Sequence, residues 1–176
     1  FIPDIEVDLK FLSGQQKNNI IHLLMIKLLY NWGGILIPNI FYPLKNFNNL
    51  PLNKLSIFEC KSFLTNNYID YKYLPNNEFI VSNSNNKILI DYINYLEYHI
   101  SKDNSKHSYF NEYHKLWWND KINKCNINYI SGKYIGIKNK FDEPIVIENI
   151  FSDINIYFDK DCYGIYIPDY YLLKKK

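Results

Sequence analysis

The stretch SGQQKNNIIHLLMIKLLYNWGGILIPN, residues 13–39, decides the fold. Ser13 with Gln16 three residues on is a capping box, which satisfies two backbone groups at a helix start. The segment that follows is apolar nearly all round, from Ile20 and Ile21 through Leu23, Leu24, Met25, Ile26, Leu28 and Leu29 to Tyr30. A helix of that kind is buried on most of its faces. Gly33 and Gly34 end it, since glycine takes a left-handed C-cap without a Cβ penalty. Ile35–Ile37 is then a short buried strand, stopped by Pro38. The expectation is a buried helix over 17–32 that runs through Gly33 and Gly34 into a central strand over 35–37.

Downstream, the signals alternate. Strands are expected at Leu55–Cys60 and Glu78–Ser82. Lys87–Ser101 is the cleanest amphipathic helix, with Leu89, Tyr92, Ile93, Leu96 and Ile100 at i, i+3, i+4, i+7 spacing. A second helix covers Tyr109–Trp118, and one of the adjacent Trp117 and Trp118 is expected to pack inward. The C-terminal third is expected to be β-rich, with strands at Asn126–Ile130, Lys133–Ile137, Pro144–Ile147, Ile154–Phe158 and Tyr163–Ile167. Ser131-Gly132 is a tight turn between two of them. No linker divides the chain, so 1–125 forms an α/β portion and 126–176 a β-rich extension packed on it, in one globular unit.

Composition narrows the function classes. The chain has 176 residues, 47% of them hydrophobic, which suffices for one domain with a real core. The 27 Ile, 25 Asn, 20 Lys and 17 Tyr make up 89 of the residues, while Arg and Ala are absent. The favoured residues have codons rich in A and T. This points to an AT-rich genome such as that of a giant DNA virus, a malaria-type parasite or a slime mould, and makes the Asn excess mutational before it is functional. Net charge is +2, carried by Lys alone. Without Arg the planar fork for bidentate guanine and phosphate contacts is missing, so sequence-specific nucleic-acid recognition is not expected. The longest apolar stretch, Ile20–Tyr30, is too short for a membrane span. Phe1 at the start suggests a fragment, and Lys174–Lys176 is a solvated terminal run.

Few motifs carry chemistry. Cys60, Cys125 and Cys162 are odd in number and match no zinc or redox spacing, which suits thiols in a reducing intracellular compartment or a virion rather than a disulfide-dependent secreted protein. His22, His99, His107 and His114 form no paired-ligand motif. Asp142-Glu143 before Pro144, and Asp159-Lys160-Asp161, are turns by composition.

Residues 20–47 carry a resemblance. Leu28-Leu29-Tyr30-Asn31-Trp32-Gly33-Gly34-Ile35-Leu36, followed by Pro43-Leu44-Lys45-Asn46-Phe47, is similar to the DXD-motif sugar transferases, the family 32-type retaining glycosyltransferases with a GT-A fold. Their pattern runs from a helix ending in a double glycine, through a strand I-Y-L-D-x-D, to a segment P-L-K-x-L. The strand-then-helix order of Asn77–Ile100 fits it too, so the resemblance covers about half the chain. The last 60 residues match no classical enzyme and look like a giant-virus branch. The resemblance implies a partial GT-A-like α/β core with a mixed sheet around a buried central helix.

The departures from that pattern set the functional expectation. The family's two metal-holding aspartates fall at Pro38 and Ile40, with Asn39 between them, and neither outer side chain offers a ligand oxygen. The aspartate that contacts the donor sugar falls at His22 and the neighbouring arginine at Met25. Only about a dozen residues precede the donor helix, so the expectation is either that an upstream segment is missing from this chain or that the nucleotide-binding half has been lost. The expected protein is a non-catalytic glycosyltransferase-like domain without metal or other cofactor, in a structural or assembly role, as in a large virus particle. The alternative is an active nucleotide-sugar-dependent transferase with an atypical donor site, metal-independent or using Mn or Mg. The expected partners are other protein chains, virion proteins or further copies of this chain, met through Tyr163, Tyr166, Tyr170 and Tyr171.

Overall fold

The computed structural model describes residues 12–51, 53–63, 71–102, 110–152 and 154–167. Helix α1 spans Gly14–Trp32 behind the expected capping box. The Ser13 hydroxyl accepts from the Gln16 amide at 3.2 Å, and the Gln16 side chain accepts from the Ser13 amide at 2.9 Å. Only one stripe of α1 is buried: Ile20, Leu23, Ile26 and Leu29, with Asn19 beside them. Ile21, Met25 and Trp32 face outward, which corrects the expectation of burial on most faces. Ile is the commonest residue of the chain and occurs on exposed as well as buried positions, so the apolar run overstates the buried arc.

Gly33 ends α1 with φ 69° and ψ −173°, a glycine-only conformation rather than the left-handed cap. Its amide donates to the Leu29 carbonyl at 2.8 Å. A Cβ there would sit 2.7 Å from the Ser84 backbone nitrogen, so the position excludes any side chain. Gly34, at φ 113°, starts strand β1 (Gly34–Leu36).

Four strands form one mixed sheet. β1 is followed by β2 (Phe41–Pro43), β3 (Ser56–Phe63), β4 (Tyr71–Ser82) and β5 (Asn128–Ile130), and the sheet order is β1-β4-β3-β5. β4 runs antiparallel to both neighbours, with a register shift between Ile57 and Glu59, while β3 and β5 are parallel. β1 therefore lies at an edge among the described residues, not in the centre as expected. Its three residues pair with the end of the twelve-residue β4, which takes the central place by length. β2 instead pairs with β6 (Gly164–Tyr166) in a separate two-stranded sheet.

Period-2 alternation gives the sheet two buried faces. Leu36, Ile57 and Ile80 point to one side and pack with Leu23, Ile26 and Leu29 of α1, with Leu89, Ile93 and Leu96 of helix α2 (Lys87–Ser101), and with Trp118 of helix α3 (Phe110–Lys124). Phe58, Phe79 and Val81 point to the other side, where Ile130, Ile135 and Ile137 cover them. Phe58 and Phe79 stack there with centroids 4.1 Å apart. Full burial of each such side chain contributes roughly 1.5–3 kcal/mol. α2 has the expected bounds, and Asn86 caps it by accepting from the Ile88 amide. α3 runs six residues past the expected end. Trp118 is wholly buried and Trp117 lies half-buried on Tyr92.

The C-terminal third departs most from expectation. β5 and β6 are present, each of three residues. Over Lys133–Ile137 the chain forms a 3-10 turn, Gly132–Ile135, instead of a strand. Ser131 caps that turn and Gly136, left-handed at φ 70°, ends it, so Ser131-Gly132 opens a helical turn and is no hairpin. Pro144 makes one isolated bridge to Lys138, and Ile147–Ile150 is a short helix, α4. Ile154–Phe158 has no strand. The alternating Ile and Tyr of this third fill the spaces of an irregular cover, which period-2 counting cannot tell from strands. That cover is continuous with the rest, since β5 joins β3 and β6 joins β2.

Candidate functional site

α1 and the β1–β2 connection meet around a cavity of about 290 Å³. Five of the positions matched to the family's donor chemistry line it: His22 and Met25 from α1, and Pro38, Asn39 and Ile40 from the connection. Asn18 and Ile21 of α1, Leu36 and Ile37, Glu78 of β4 and Tyr166 of β6 complete the wall. Gly33 borders a second, apolar groove of about 280 Å³ beside Met25, Leu28 and Trp32, and Gly34 lines neither space. Pro38 and Ile40 present only hydrocarbon to the first cavity. Among the described residues, no three His, Cys, Asp or Glu side chains come together in a way that could hold a metal ion.

From His22 in the cavity wall a polar chain runs into the core, one that residue-by-residue reading of the sequence missed. His22 Nε2 lies 3.1 Å from the Tyr92 hydroxyl, and that hydroxyl lies 3.0 Å from His114 Nδ1. A hydroxyl donates one proton, so one imidazole donates to Tyr92 while the other accepts from it, and the two tautomers are coupled. Burial holds the His22 pKa at about 4. Burial, then the nearby His22, His99 and Lys115, hold His114 at about 2. Both rings are therefore neutral at pH 7. Burial also pushes the Tyr92 phenol well above its ordinary range. Tyr92 sits on the buried stripe of α2, so helical spacing placed it in the core. Nothing in the sequence pairs it with histidines 70 residues before it and 22 after.

The opposite face of the sheet holds a buried ion pair. Lys138 Nζ lies 2.7 Å from Glu59 Oε2, which also accepts from the Gly132 amide at 2.9 Å. The same ammonium lies 3.9 Å from the centroid of the Tyr73 ring. Glu59 thus ties the 3-10 turn to the sheet, and the pair is enclosed by aromatic packing.

Of the four candidate interface tyrosines, the two described ones form no exposed patch. Tyr163 and Tyr166 are half-buried and pack on the second core. Tyr163 stacks on Phe47 with centroids 5.4 Å apart, and Tyr166 pairs with Phe41 and lines the cavity. Pairing between β2 and β6 turns these rings inward. Tyr170 and Tyr171 lie outside the described residues. Exposed aromatics of this third, among the described residues, are instead Tyr129, Phe141, Phe151 and Tyr157. The Phe141 and Tyr157 rings lie 6.3 Å apart, with Lys140 Nζ over both at 4.8 and 4.9 Å.

The acidic pairs are turns. The Asn139 carboxamide accepts from the Phe141 and Glu143 amides around Asp142, and Asp159 accepts from the Asp161 amide. Cys60 and Cys162 are buried, Cys125 is half-buried, and all three are free thiols. No helix among the described residues is long and apolar enough to cross a membrane. No family model, curated protein or solved structure matches the chain.

Proposed function

We propose that the chain is a degenerate glycosyltransferase-like domain that keeps the helix, double glycine and strand of a partial GT-A-like core and has lost the donor chemistry. Its role is structural: it binds other protein chains, virion proteins or further copies of itself, in the assembly of a large virus particle. The observation that supports this reading most strongly is the composition of the cavity. The positions that would carry two carboxylates, a sugar-contacting acid and a cation hold Pro38, Ile40, His22 and Met25. The side chains of Pro38, Ile40 and Met25 neither hold a hard divalent ion nor offset the charge of a diphosphate. The exposed Phe141–Tyr157 pair supports the protein-binding half, because aromatic side chains concentrate at interface centres.

Calorimetry of the full chain with manganese and a panel of nucleotide sugars tests this. No metal-dependent heat is expected. Micromolar, manganese-dependent binding that is lost in Asn39→Ala would establish the alternative, an active transferase with an atypical donor site. The assembly half is tested by sedimentation against Phe141→Asp/Tyr157→Asp. We expect association with another chain or a second copy to be lost while the thermal midpoint stays within about 2 °C, since exposed sites contribute little to stability.

A further inference from the structure

We infer that the outward face of α1 binds the same face of a second copy of this chain, with the two helices antiparallel about a two-fold axis. The face carries Ile21, Met25, Leu28 and Trp32, spaced four, three and four residues apart. That spacing keeps large apolar side chains on one seam of a helix, the arrangement that interlocks with a second helix. It is a separate stripe from the buried one of Ile20, Leu23, Ile26 and Leu29. Ile21 is 55% exposed, Met25 41% and Trp32 81%, the highest value of any large hydrophobic side chain among the described residues. Leu28 is half-buried.

Spacing, charge and area select a second copy as the partner. The seam has the same spacing in both directions, so a reversed α1 presents its side chains at matching heights. Ile21 then faces the partner's Trp32, and Met25 faces the partner's Leu28. Such a two-fold contact uses one patch twice. Lys17 and Lys27 are the charged residues of α1, and Glu97 holds Lys27 at 2.6 Å, off the seam. Lys17 lies one turn before Ile21, and α1 has no basic residue in its own last turn. Antiparallel packing sets Lys17 at the negative end of the partner's α1, where a cation is favoured, and keeps the two Lys17 side chains apart. Covering the four seam residues on both copies removes on the order of 800 Å² before their neighbours are counted, close to the roughly 1,000 Å² of a stable interface. A groove of about 280 Å³ along the seam, lined by no charged side chain, takes the partner's Met25 and Leu28. Filling it also shields the outer edge of β1, which has no strand partner among the described residues. The inference goes beyond the assembly reading, since it uses neither the Phe141–Tyr157 surface nor the loss of donor chemistry.

Sedimentation equilibrium of the full chain tests this. The expected species has twice the 21.2 kDa chain mass, with a Kd in the micromolar range. Ile21→Glu and Trp32→Lys, both at exposed positions, should each weaken the dimer about thirtyfold, as at an interface hot spot. Their far-UV circular dichroism should stay unchanged. Mixed in equal amounts, the two variants should associate again. Antiparallel helices set the introduced carboxylate against the introduced ammonium at one end and keep the native Ile21–Trp32 contact at the other. Phe141→Asp/Tyr157→Asp should keep this dimer and lose only the association that passes through those two rings. A chain that stays monomeric at about 100 μM, well above a micromolar Kd, overturns the inference. So does a dimer that neither seam variant weakens, or a mixture that restores nothing. A dimer lost in Phe141→Asp/Tyr157→Asp alone would move self-association to that surface. It would overturn this inference and support the assembly reading, so the two failures are distinct.

Discussion

The two faces of the four-stranded sheet are covered in different ways. On one, α1, α2 and α3 lay down regular stripes of Leu, Ile and Trp, and one neutral polar chain, His22–Tyr92–His114, runs through them. On the other, the cover is a 3-10 turn, two three-residue strands and loops. Point contacts hold it: the Tyr163 amide on the Tyr134 carbonyl at 2.8 Å, the Ile145 amide on Ile137 at 2.9 Å, and the Glu59–Lys138 pair. A helical cover spreads its stabilisation over many interchangeable apolar contacts. An irregular cover concentrates it in a few groups that must be in place together. The cavity lies where the two meet, with walls from α1 on one side and Tyr166 of β6 on the other.

That contrast can be broken by substitution. The largest effect belongs to the helical face. Trp118→Ala should lower the unfolding free energy by about 4 kcal/mol and Ile135→Ala on the other face by about 3 kcal/mol, measured by urea denaturation. A loss at Ile135 well below that figure would show that the irregular cover does not concentrate its stability in a few groups. Next is the ionic pin. Glu59→Ala leaves a nearly buried ammonium and the Gly132 amide without their acceptor, and should cost about 3 kcal/mol. Hydrogen exchange should show the loss first around Gly132–Ile135, since the pin acts locally. Uniform loss of protection across α1 and α2 would mean that the two covers are not separable.

A pH response, rather than a substitution of the core, sharpens the difference in polar chemistry. His22 and His114 have folded pKa values of about 4 and about 2, below the unfolded value of 6.5. Between pH 6.5 and 4 the unfolded chain binds protons that the native one refuses. Stability is therefore full above pH 6.5 and falls as the pH drops, by up to about 1.4 kcal/mol per pH unit for each imidazole. Thermal midpoints between pH 7 and 4.5 should show this slope, and His114→Phe should flatten it. A profile unchanged by that variant would place the acid sensitivity elsewhere.

The same contrast explains what the sequence reveals. The bounds of α2 and the start of α1 are legible because a period of 3.6 and a capping box are local signals. β3 and the last five residues of β4, Glu78–Ser82, are legible as apolar runs, but β4 begins at Tyr71, seven residues before the expected start and inside a segment that reads as loop, and the edge position of β1 depends on which strand is longest, which no local window reports. The C-terminal cover misleads because Tyr163, Ile165 and their neighbours are chosen to fill gaps, and gaps leave no period. At the cavity, His22, Met25, Pro38, Asn39 and Ile40 come together through the order of helix, double glycine and strand. The His22–Tyr92–His114 chain could not be read, since it joins residues on three separate helices.

A scaffold that has kept its core and lost its donor chemistry should turn over no nucleotide sugar. The most direct test is turnover: incubation of the full chain with radiolabelled nucleotide sugars and manganese, followed by measurement of the released sugar. The account predicts release no faster than in buffer. Release above that background that disappears in both Asn39→Ala and Ile21→Trp would place a working donor site in the cavity and contradict it.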